Sequence, residues 1–542
     1  MIYFSYKQTL ADWQFRSRPD LSPPKLNITL AATEETAPGY LFVAPYSGYA
    51  DVQFHGPRQA APYVFTDQGE LVWSGFAFFS IWAANFQAAK YKGEDILFSF
   101  EGSHNPAYGH GHGHVTFLNK NLETVKEIRA GNHKILDKHE FHIKDEKTAL
   151  IEIYHPVPRD LTKYGASSEQ QWIVDARVQE LDLETGEVLF EWSSLEHINP
   201  SESILPINPG YAGSGYNSSD AWDYFHINSV DKDEDGNYVI SARHTAALYK
   251  INGKTGEIIW KLGGLPGKIS SDFKSIDDFT FAFQHHARIL STSPDKTKQV
   301  ISFFDNSAHG SEDTNGTIVH YAENSSGKII EVDIKSWEAK LLKQYNPPEK
   351  ILAKSQGSTQ VLPNGNVIVN WGSEGALTEF NADGKPIFHT YLDSGDLGAR
   401  VQNYRGFKYN WTSIPFEKIA VFSEVTKEDD TIIYVSWNGD IDTKTWRLFT
   451  LSSDGKREYV AETKRTGFET TFKITGEIHE RVAVEAIDNN GKILATSDIT
   501  VSEKQVLPYA KKPVTEVEHT ETGFQNFFTW KIGLSSLFND EN

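Results

Sequence analysis

The sequence predicts an all-β protein, a six-bladed β-propeller followed by a β-sandwich of the immunoglobulin or fibronectin kind. Short alternating or apolar runs recur between turns rich in Gly, Asn and Asp, for example Tyr238–Ala242, Val300–Phe304 and Ile432–Trp437. Runs of this length and composition are typical of strands. A hairpin-sized unit also repeats along most of the chain, and the loops between strands shorten after residue 415. Few segments have the periodicity of an amphipathic helix.

The repeating unit consists of a strand, a glycine turn and a strand that ends in tryptophan. Its clearest copies are Asp67–Trp73, Glu184–Trp192 and Lys254–Trp260. Irregular copies of one hairpin in an all-β chain are typical of a β-propeller, in which each blade has four strands. We therefore expect six blades over residues 40–414, preceded by an N-terminal extension over residues 1–39.

The predicted strands are spaced differently after residue 415. Short strands follow one another closely there, among them Ile419–Val425, Thr431–Trp437 and Arg481–Ile487. This spacing predicts a β-sandwich over residues 415–502. Residues 503–542 are expected to form a less ordered tail, in which the aromatic run Gly523–Trp530 docks on the folded part of the chain.

Net charge and cysteine content exclude several kinds of function. The formal net charge is −21 and no basic run is present, which argues against nucleic-acid binding because clustered Lys and Arg bind phosphate backbones. Cysteine is absent, so the chain has no disulfide, no thiolate metal site and no thiol nucleophile. An anionic substrate would need a local positive pocket in this negative protein.

Hydropathy and composition bear on localisation. The longest apolar stretch, Gly75–Phe86, is too short to span a bilayer as a helix. The N-terminus has no basic region followed by an apolar one, so we expect a cytosolic chain or a secreted chain whose signal peptide has been removed. Methionine occurs only at position 1, and avoidance of oxidisable side chains suits an oxidising compartment. N-x-S/T sequons occur at Asn27, Asn217, Asn315, Asn324 and Asn410. We expect secretion.

Histidine-bearing motifs are the main functional signal, and they are Asp137–Phe141, Asp223–Ser229, Ser241–His244 and Gln284–Arg288. Each places an imidazole or a guanidinium at a strand end, where such groups can bind an anion with several oxygens. Each also has a structural explanation. His139 could belong to a capped turn, the second and third motifs to a polar channel, and the fourth to a surface turn.

Strand periodicity predicts which of these side chains share a site. His226 and Asn228 lie two residues apart, so on a strand they point to the same face. Arg243 lies on the following strand and is expected beside them, which would make an oxyanion cradle. In the fourth motif His285 and His286 face opposite ways, and Arg288 shares the face of His286.

Other motifs give no clear cofactor signal. His110, His112 and His114 alternate with glycine and resemble a metal-binding tract. The glycines indicate close backbone approach instead, and no carboxylate accompanies the histidines, so we expect no metal. The sequence has no P-loop, no G-x-S-x-G elbow and no dinucleotide-binding fingerprint. We expect no cofactor.

The stretch from Phe15–Leu21 to Trp437–Gly439 resembles the fungal branch of the arylsulfotransferase-like family. The matching signatures are Asp137–Phe141, Asp223–Ser229, Leu262–Gly264, Gln284–Arg288, Phe304–Asn306 and Gly357–Gln360. The resemblance implies a six-bladed propeller that moves a sulfuryl group between phenols through a sulfohistidine, without a nucleotide carrier. Its partners would be an aryl sulfate donor and a phenol acceptor.

The resemblance also implies roles for particular residues. His285 matches the nucleophilic histidine, while His226 and Arg243 resemble the sulfate-binding set together with Asn228. His139 resembles a further channel histidine, and either His226 or His139 would act as the acid and base. His286 and Arg288 are expected to bind substrate. His286 stands where many relatives have an acidic residue, and the expected sandwich follows the propeller, whereas in the bacterial relatives it precedes it.

Other functions stay open at this point because fold alone does not fix activity. The same cavity could catalyse a cyclisation or an elimination in fungal natural-product assembly. The chain could also be a secreted binding protein in which the sandwich acts as an adhesion module.

Overall fold

A computed structural model describes residues 12–47, 57, 59–79, 82–310, 318–394, 401–452 and 454–504. The described chain is built almost entirely of strands, with one single-turn helix, α1 (Ser194–His197), and short 3₁₀ turns at Thr162–Tyr164, Pro200–Glu202, Ser218–Asp220 and Gly372–Glu374. The predicted all-β class is confirmed. Within the described ranges no helix combines the length and the hydropathy needed to cross a bilayer. The expected tail lies outside these residues except for its first two.

The described residues up to Tyr409 form thirty strands. In chain order they are β1 (Asn27–Leu30), β2 (Tyr40–Val43), β3 (Tyr46–Ser47), β4 (Tyr63–Phe65), β5 (Leu71–Ser74), β6 (Trp82–Tyr91), β7 (Glu94–Asn105), β8 (His110–Leu118), β9 (Thr124–Ile128), β10 (Phe141–Lys144), β11 (Thr148–Pro158), β12 (Trp172–Asp182), β13 (Val188–Ser193), β14 (Ile227–Lys232), β15 (Tyr238–Ala242), β16 (Ala247–Ile251), β17 (Ile258–Gly263), β18 (Lys274–Ile276), β19 (His285–Thr292), β20 (Lys298–Asp305), β21 (Ala308–His309), β22 (Val319–His320), β23 (Ser326–Asp333), β24 (Glu338–Tyr345), β25 (Ser358–Val361), β26 (Val367–Asn370), β27 (Ala376–Phe380), β28 (Pro386–Tyr391), β29 (Val401–Gln402) and β30 (Phe407–Tyr409).

Most of these strands form six antiparallel sheets, which we call sheets A to F. In sheet order they are β30-β2-β4-β5 (A), β6-β7-β8-β9 (B), β10-β11-β12-β13 (C), β14-β15-β16-β17 (D), β19-β20-β23-β24 with β18 added in parallel (E), and β25-β26-β27-β28 with β1 added (F). Sheets B, C and D are meanders of consecutive strands, whereas sheet E omits β21 and β22 and adds β18, and sheet F adds β1. Sheet A takes its edge strand β30 from the far end of this region, so the two ends of the region are held in one sheet.

Hydrophobic packing joins the six sheets into a ring. Separate buried clusters lie between A and B, B and C, C and D, D and E, E and F, and F and A. The last of these closes the ring, because Leu41 and Phe65 of sheet A share a cluster with Ile368 and Phe388 of sheet F. A closed ring leaves each sheet with both faces covered, which explains why most of its strand residues are buried on both faces.

A buried ion-pair cluster ties the sheets together at the centre. The Glu140 carboxylate, just before β10, pairs with Arg405 at 2.8 Å and with Arg288 at 2.8 Å. Arg405 also donates to the backbone oxygen of Asn228 at 2.8 Å and contacts Asn85 Oδ1 at 3.4 Å. These five residues lie within or just before the first strands of sheets A to E, so one cluster connects five of the six sheets.

A second group of strands follows the ring. It comprises β31 (Ala420–Val425), β32 (Thr431–Ser436), β33 (Thr445–Leu451), β34 (Arg457–Lys464), β35 (Glu469–Ile474), β36 (Arg481–Ile487), β37 (Ile493–Thr496), β38 (Thr500–Val501) and β39 (Glu503–Lys504). One sheet has the order β35-β32-β31-β39, and the other has the order β34-β33-β36-β37 with β38 paired to β36. The two sheets share one core, in which Ile433 and Phe472 of the first meet Trp446 and Val484 of the second.

We expect Glu140→Ala to lower the free energy of unfolding by about 3–5 kcal/mol, because it leaves the fully buried guanidinium of Arg405 without its carboxylate. Urea titration followed by tryptophan fluorescence measures this change. Glu257→Ala removes an exposed glutamate of the same ring and should change the value by less than about 0.5 kcal/mol. Equal effects of the two substitutions would contradict a central role for the cluster.

Candidate active site

A cavity opens where the first strands of the sheets begin. Its free space is about 440 Å³, including the part that is open to solvent. Polar side chains from sheets C, D, E, F and A line it, together with loop residues above them. The lining residues are Pro106, Ala107, Tyr108, Gly109, His139, Tyr211, Ala212, Asp223, His226, Arg243, His244, His285, His309, Gly310, Ser355, Gln356 and Tyr404.

The fold brings the histidine motifs together through a common position in the sheets. His139, His226 and His285 lie two residues before β10, directly before β14 and at the first residue of β19. Each of these strands is the first of its sheet, and all of them begin at the centre of the ring. Residues that are tens of positions apart in the chain therefore surround one cavity.

His285 is held as a neutral imidazole in one tautomer. Its Nδ1 lies 2.6 Å from Asn306 Oδ1 and 3.1 Å from the backbone oxygen of Phe283. Both partners accept, so Nδ1 carries the proton and Nε2 carries the lone pair. Burial lowers the pKa of His285 well below its usual value, and the nearby Arg243 guanidinium lowers it further. Neutral imidazole with a lone pair on Nε2 is a nucleophile.

His226 is backed by a carboxylate that it shares with another histidine. Asp223 Oδ2 lies 2.5 Å from His226 Nδ1 and 2.9 Å from His110 Nε2. Burial alone would raise the pKa of Asp223, but the two histidines hold it well below its usual range. The pKa of His226 is lowered by burial, an effect that the Asp223 charge opposes. His226 therefore takes up a proton more readily than an equally buried imidazole without a carboxylate.

His139 has a similar arrangement. Its Nδ1 lies 2.5 Å from Asp137 Oδ1, which also accepts the His139 backbone N–H at 2.8 Å. The other carboxylate oxygen accepts the Gly111 backbone N–H at 2.7 Å. The imidazole rings of His139 and His226 meet edge to face, with centroids 4.9 Å apart. Two carboxylate-backed imidazoles thus lie side by side in the cavity wall.

Arg243 supplies a permanent positive charge. One of its Nη groups donates to His244 Nε2 at 2.9 Å, and the other donates to the backbone oxygen of Lys354 at 2.8 Å. His244 Nδ1 in turn donates to the backbone oxygen of Asp223 at 2.6 Å, which fixes its tautomer. Burial lowers the pKa of His244 well below its usual value. Since His244 stays neutral, it adds no second positive charge beside the guanidinium.

Three of the residues predicted for substrate binding do not line this cavity. Asn228 donates to the backbone oxygen of Gln284 at 2.7 Å, and His286 Nδ1 accepts from the Thr359 backbone N–H at 3.3 Å. Arg288 pairs with Glu140 in the central ion-pair cluster. His226 and Asn228 were expected on one face, but β14 has a register shift between Ile227 and Ser229, so the strict alternation of faces is lost.

His309, Tyr404 and Asn306 were not singled out as site residues by the sequence reasoning. His309 is buried in β21, stacks on Phe283 with centroids 5.2 Å apart, and has its pKa lowered by burial. Tyr404 donates to the backbone oxygen of His139 at 3.0 Å. Asn306 belongs to the signature Phe304–Asn306, which gives no sign of its contact with His285. The only sequence signal for Tyr404 is its place just before a strand, which it shares with the histidines.

One group in the described residues could hold a metal ion. Ligand atoms of His110, Asp223 and His226 all lie within 4.8 Å of one another. The hydrogen bonds to Asp223 account for this arrangement without an ion. The glycine–histidine tract does not act as one cluster, because His110 contacts Asp223, His114 contacts Glu101 at 3.1 Å, and His112 is exposed.

The arrangement can bind and transfer an anionic group. Arg243 offers the charge that attracts an oxyanion, and neutral His285 offers a lone pair that can attack it. His226 and His139 can each exchange a proton with a hydroxyl in the same cavity. Tyr108, Tyr211 and Tyr404 supply aromatic surface around these groups.

Comparison with solved structures gives only distant likenesses. A protein of unknown function from Bacteroides caccae has a TM-score of 0.37 and 11% identity, and the alignment covers 69% of this chain and 100% of that one. Hydrazine synthase from Kuenenia stuttgartiensis has a TM-score of 0.29 and 12% identity, with 65% and 80% covered. Virginiamycin B lyase from Staphylococcus aureus has a TM-score of 0.28 and 9% identity, with 72% and 94% covered.

Sequence comparison gives a definite family. No curated protein sequence matches the chain significantly. A sequence model described as arylsulfotransferase (ASST) matches residues 87–392, which is more than half of the chain and spans His139, His226, Arg243 and His285. The chain therefore belongs to the arylsulfotransferase family.

Proposed function

We propose that this protein is an aryl sulfotransferase that moves a sulfuryl group from an aryl sulfate to a phenol through a sulfohistidine on His285, without a nucleotide carrier. The observation that carries the proposal is the differing environment of the three histidines around one cavity. His285 faces an amide and stays neutral, whereas His139 and His226 face carboxylates. The proposed reaction needs one neutral imidazole that attacks sulfur and a second imidazole that exchanges a proton.

The reaction would proceed in two similar steps. His285 Nε2 attacks the sulfur, an N–S bond forms, and the S–O bond to the aryl group breaks. The departing oxygen takes a proton from His226 or His139. The product phenol then leaves and the acceptor phenol enters, gives its proton to the same histidine and attacks the sulfur, so that the electron pair of the N–S bond returns to Nε2.

The charge of the cavity suits a sulfate monoester. Arg243 is the only arginine or lysine among the described residues that line it. Burial keeps His244, His285 and His309 neutral by lowering their pKa values. Its guanidinium would bind the sulfuryl oxygens as charge builds on them in the transition state. The Asp223 carboxylate also lines the cavity, and His110 and His226 bind it.

We further propose that the ring of sheets is a six-bladed β-propeller and that the second group of strands is an immunoglobulin-like or fibronectin-like sandwich. The closed order of the six interfaces supports the first, and the single core between two sheets supports the second. We also propose that the protein belongs to the fungal branch of the family and is secreted. Exposed sequon asparagines at Asn27, Asn217 and Asn410 support secretion.

We expect His285→Ala to lower transfer from p-nitrophenyl sulfate to a phenol by on the order of 10³-fold or more, because the nucleophile is lost. Nitrophenol release measures the rate, and mass spectrometry of protein quenched with donor should find one sulfuryl group on the peptide with His285. His389→Ala changes a buried histidine of β28 outside the cavity and should keep the adduct. Full transfer by His285→Ala would refute the sulfohistidine.

We expect replacement of the acid histidine, by His226→Gln or His139→Gln, to slow transfer by about 10²–10⁴-fold. The rate should fall further for phenyl sulfate than for p-nitrophenyl sulfate. Phenolate is more basic than nitrophenolate, so its departure depends more strongly on protonation. Initial rates over a series of substituted phenyl sulfates identify which histidine acts. If neither variant steepens the dependence on leaving-group basicity, proton transfer from these residues is excluded.

A further inference from the structure

The side-chain amide of Asn306 faces the His285 imidazole. It follows the last residue of β20 and is fully buried. Its Oδ1 accepts from His285 Nδ1 at 2.6 Å. Its Nδ2 donates to two backbone oxygens, those of Ala353 and Gln356, each at 2.9 Å. Every polar atom of this side chain therefore has a partner.

These contacts allow only one orientation of the amide. If the amide were reversed, Oδ1 would face the carbonyl oxygens of Ala353 and Gln356, and the NH₂ group would face His285. Three donor–acceptor pairs would be lost around a fully buried side chain. Since Oδ1 must face His285, a proton on Nδ1 is favoured and a lone pair on Nδ1 is repelled. The backbone oxygen of Phe283 acts in the same direction.

The neighbouring carboxylate is kept away from His285. Asp305 Oδ1 accepts from the Ala282 and Ser307 backbone N–H groups at 3.0 and 2.9 Å, and Oδ2 pairs with Lys328. The charged and titratable groups that act on His285 from the surrounding elements include Arg243, His226 and His139. No carboxylate is bonded to His285 in the described part of the chain, in contrast to the aspartates behind His139 and His226.

We propose that Asn306 is a positioning residue that holds His285 as the neutral Nδ1–H tautomer and so presents the Nε2 lone pair to the substrate. The hydrogen bonds support the structural part of this proposal, whereas the role of Asn306 in catalysis depends on the proposed function. An amide suits both steps better than a carboxylate. Before the sulfuryl group is transferred, the amide does not stabilise a second proton on the His285 ring. After transfer, the amide does not bind the positively charged ring of the sulfo-imidazole so strongly that the sulfuryl group is retained.

The test compares Asn306→Asp and Asn306→Leu with Asn370→Asp. Asn370 is a matched control, because it is also fully buried and its Nδ2 also donates to backbone oxygens, those of Asn403 and Tyr404. No histidine bonds to it in the described residues. The melting temperature of each variant separates loss of fold from loss of positioning.

The first readout is the ¹⁵N NMR spectrum of the His285 imidazole as a function of pH, which needs no turnover. The free protein should show the Nδ1–H tautomer alone at neutral pH. In Asn306→Asp the pKa of His285 should rise by at least about one unit, a tenfold change in proton affinity, because a carboxylate stabilises the imidazolium. In Asn306→Leu both tautomers should appear. Unchanged spectra in both variants would overturn the proposal.

The second readout is the pH dependence of nitrophenol release. A group that must be neutral limits the rate on the acidic side of its pKa, so the acidic limb should move to higher pH in Asn306→Asp and stay in place in Asn370→Asp. Asn306→Leu should slow release at least tenfold without moving this limb. If the wild-type protein transfers no sulfuryl group but the spectra respond as described, the proposed function fails and the positioning role stands. If transfer is normal but the spectra do not respond, the proposed function stands and the positioning role fails.

Discussion

The carboxylate of Glu140, shared by Arg405 and Arg288, is the interaction on which the centre of the ring depends. A fully buried charge is stable only with partners of opposite charge and complete hydrogen bonding. Arg405 and Arg288 reach it from sheets A and E, so it fixes how those sheets sit against sheet C. The cavity is lined by residues next to the same strand starts. His139 directly precedes Glu140, and Tyr404 directly precedes Arg405. The geometry of the cavity therefore follows from the ion pairs beneath it.

The charged groups of the cavity have different partners from those of this ion-pair cluster. In the cluster, one buried carboxylate is shared by two guanidinium groups of the protein. In the cavity, burial keeps most imidazoles neutral, and Arg243 retains its charge because the His244 ring and the backbone oxygen to which it donates are neutral. The histidines differ through their partners, since His285 has an amide behind Nδ1 whereas His139 and His226 have carboxylates.

Much of this could be predicted from the sequence, and the exceptions have physical causes. Recurrent hairpins and turn residues indicated the all-β class, and the position of His139, His226 and His285 before apolar runs indicated a common site. The assumption that His226 and Asn228 share a face was inaccurate because a strand with a register shift does not alternate strictly. His309 could not be found because it lies on a two-residue strand with no periodicity. The role of Asn306 depends on a contact across 21 residues, which spacing does not reveal.

The pairing of β30 with β2 has a consequence for biosynthesis. Sheet A joins residues 40–43 to residues 407–409, so its edge strand is absent until nearly the whole ring has left the ribosome. Sheets B to F consist mainly of neighbouring strands and can form as they emerge, whereas this long-range pairing is slow and comes last. Tyr404 and Arg405 arrive with that strand. A chain that has not reached residue 404 therefore lacks both a cation at the centre and one wall of the cavity, so the cavity would be completed only when the last strand of the ring has emerged.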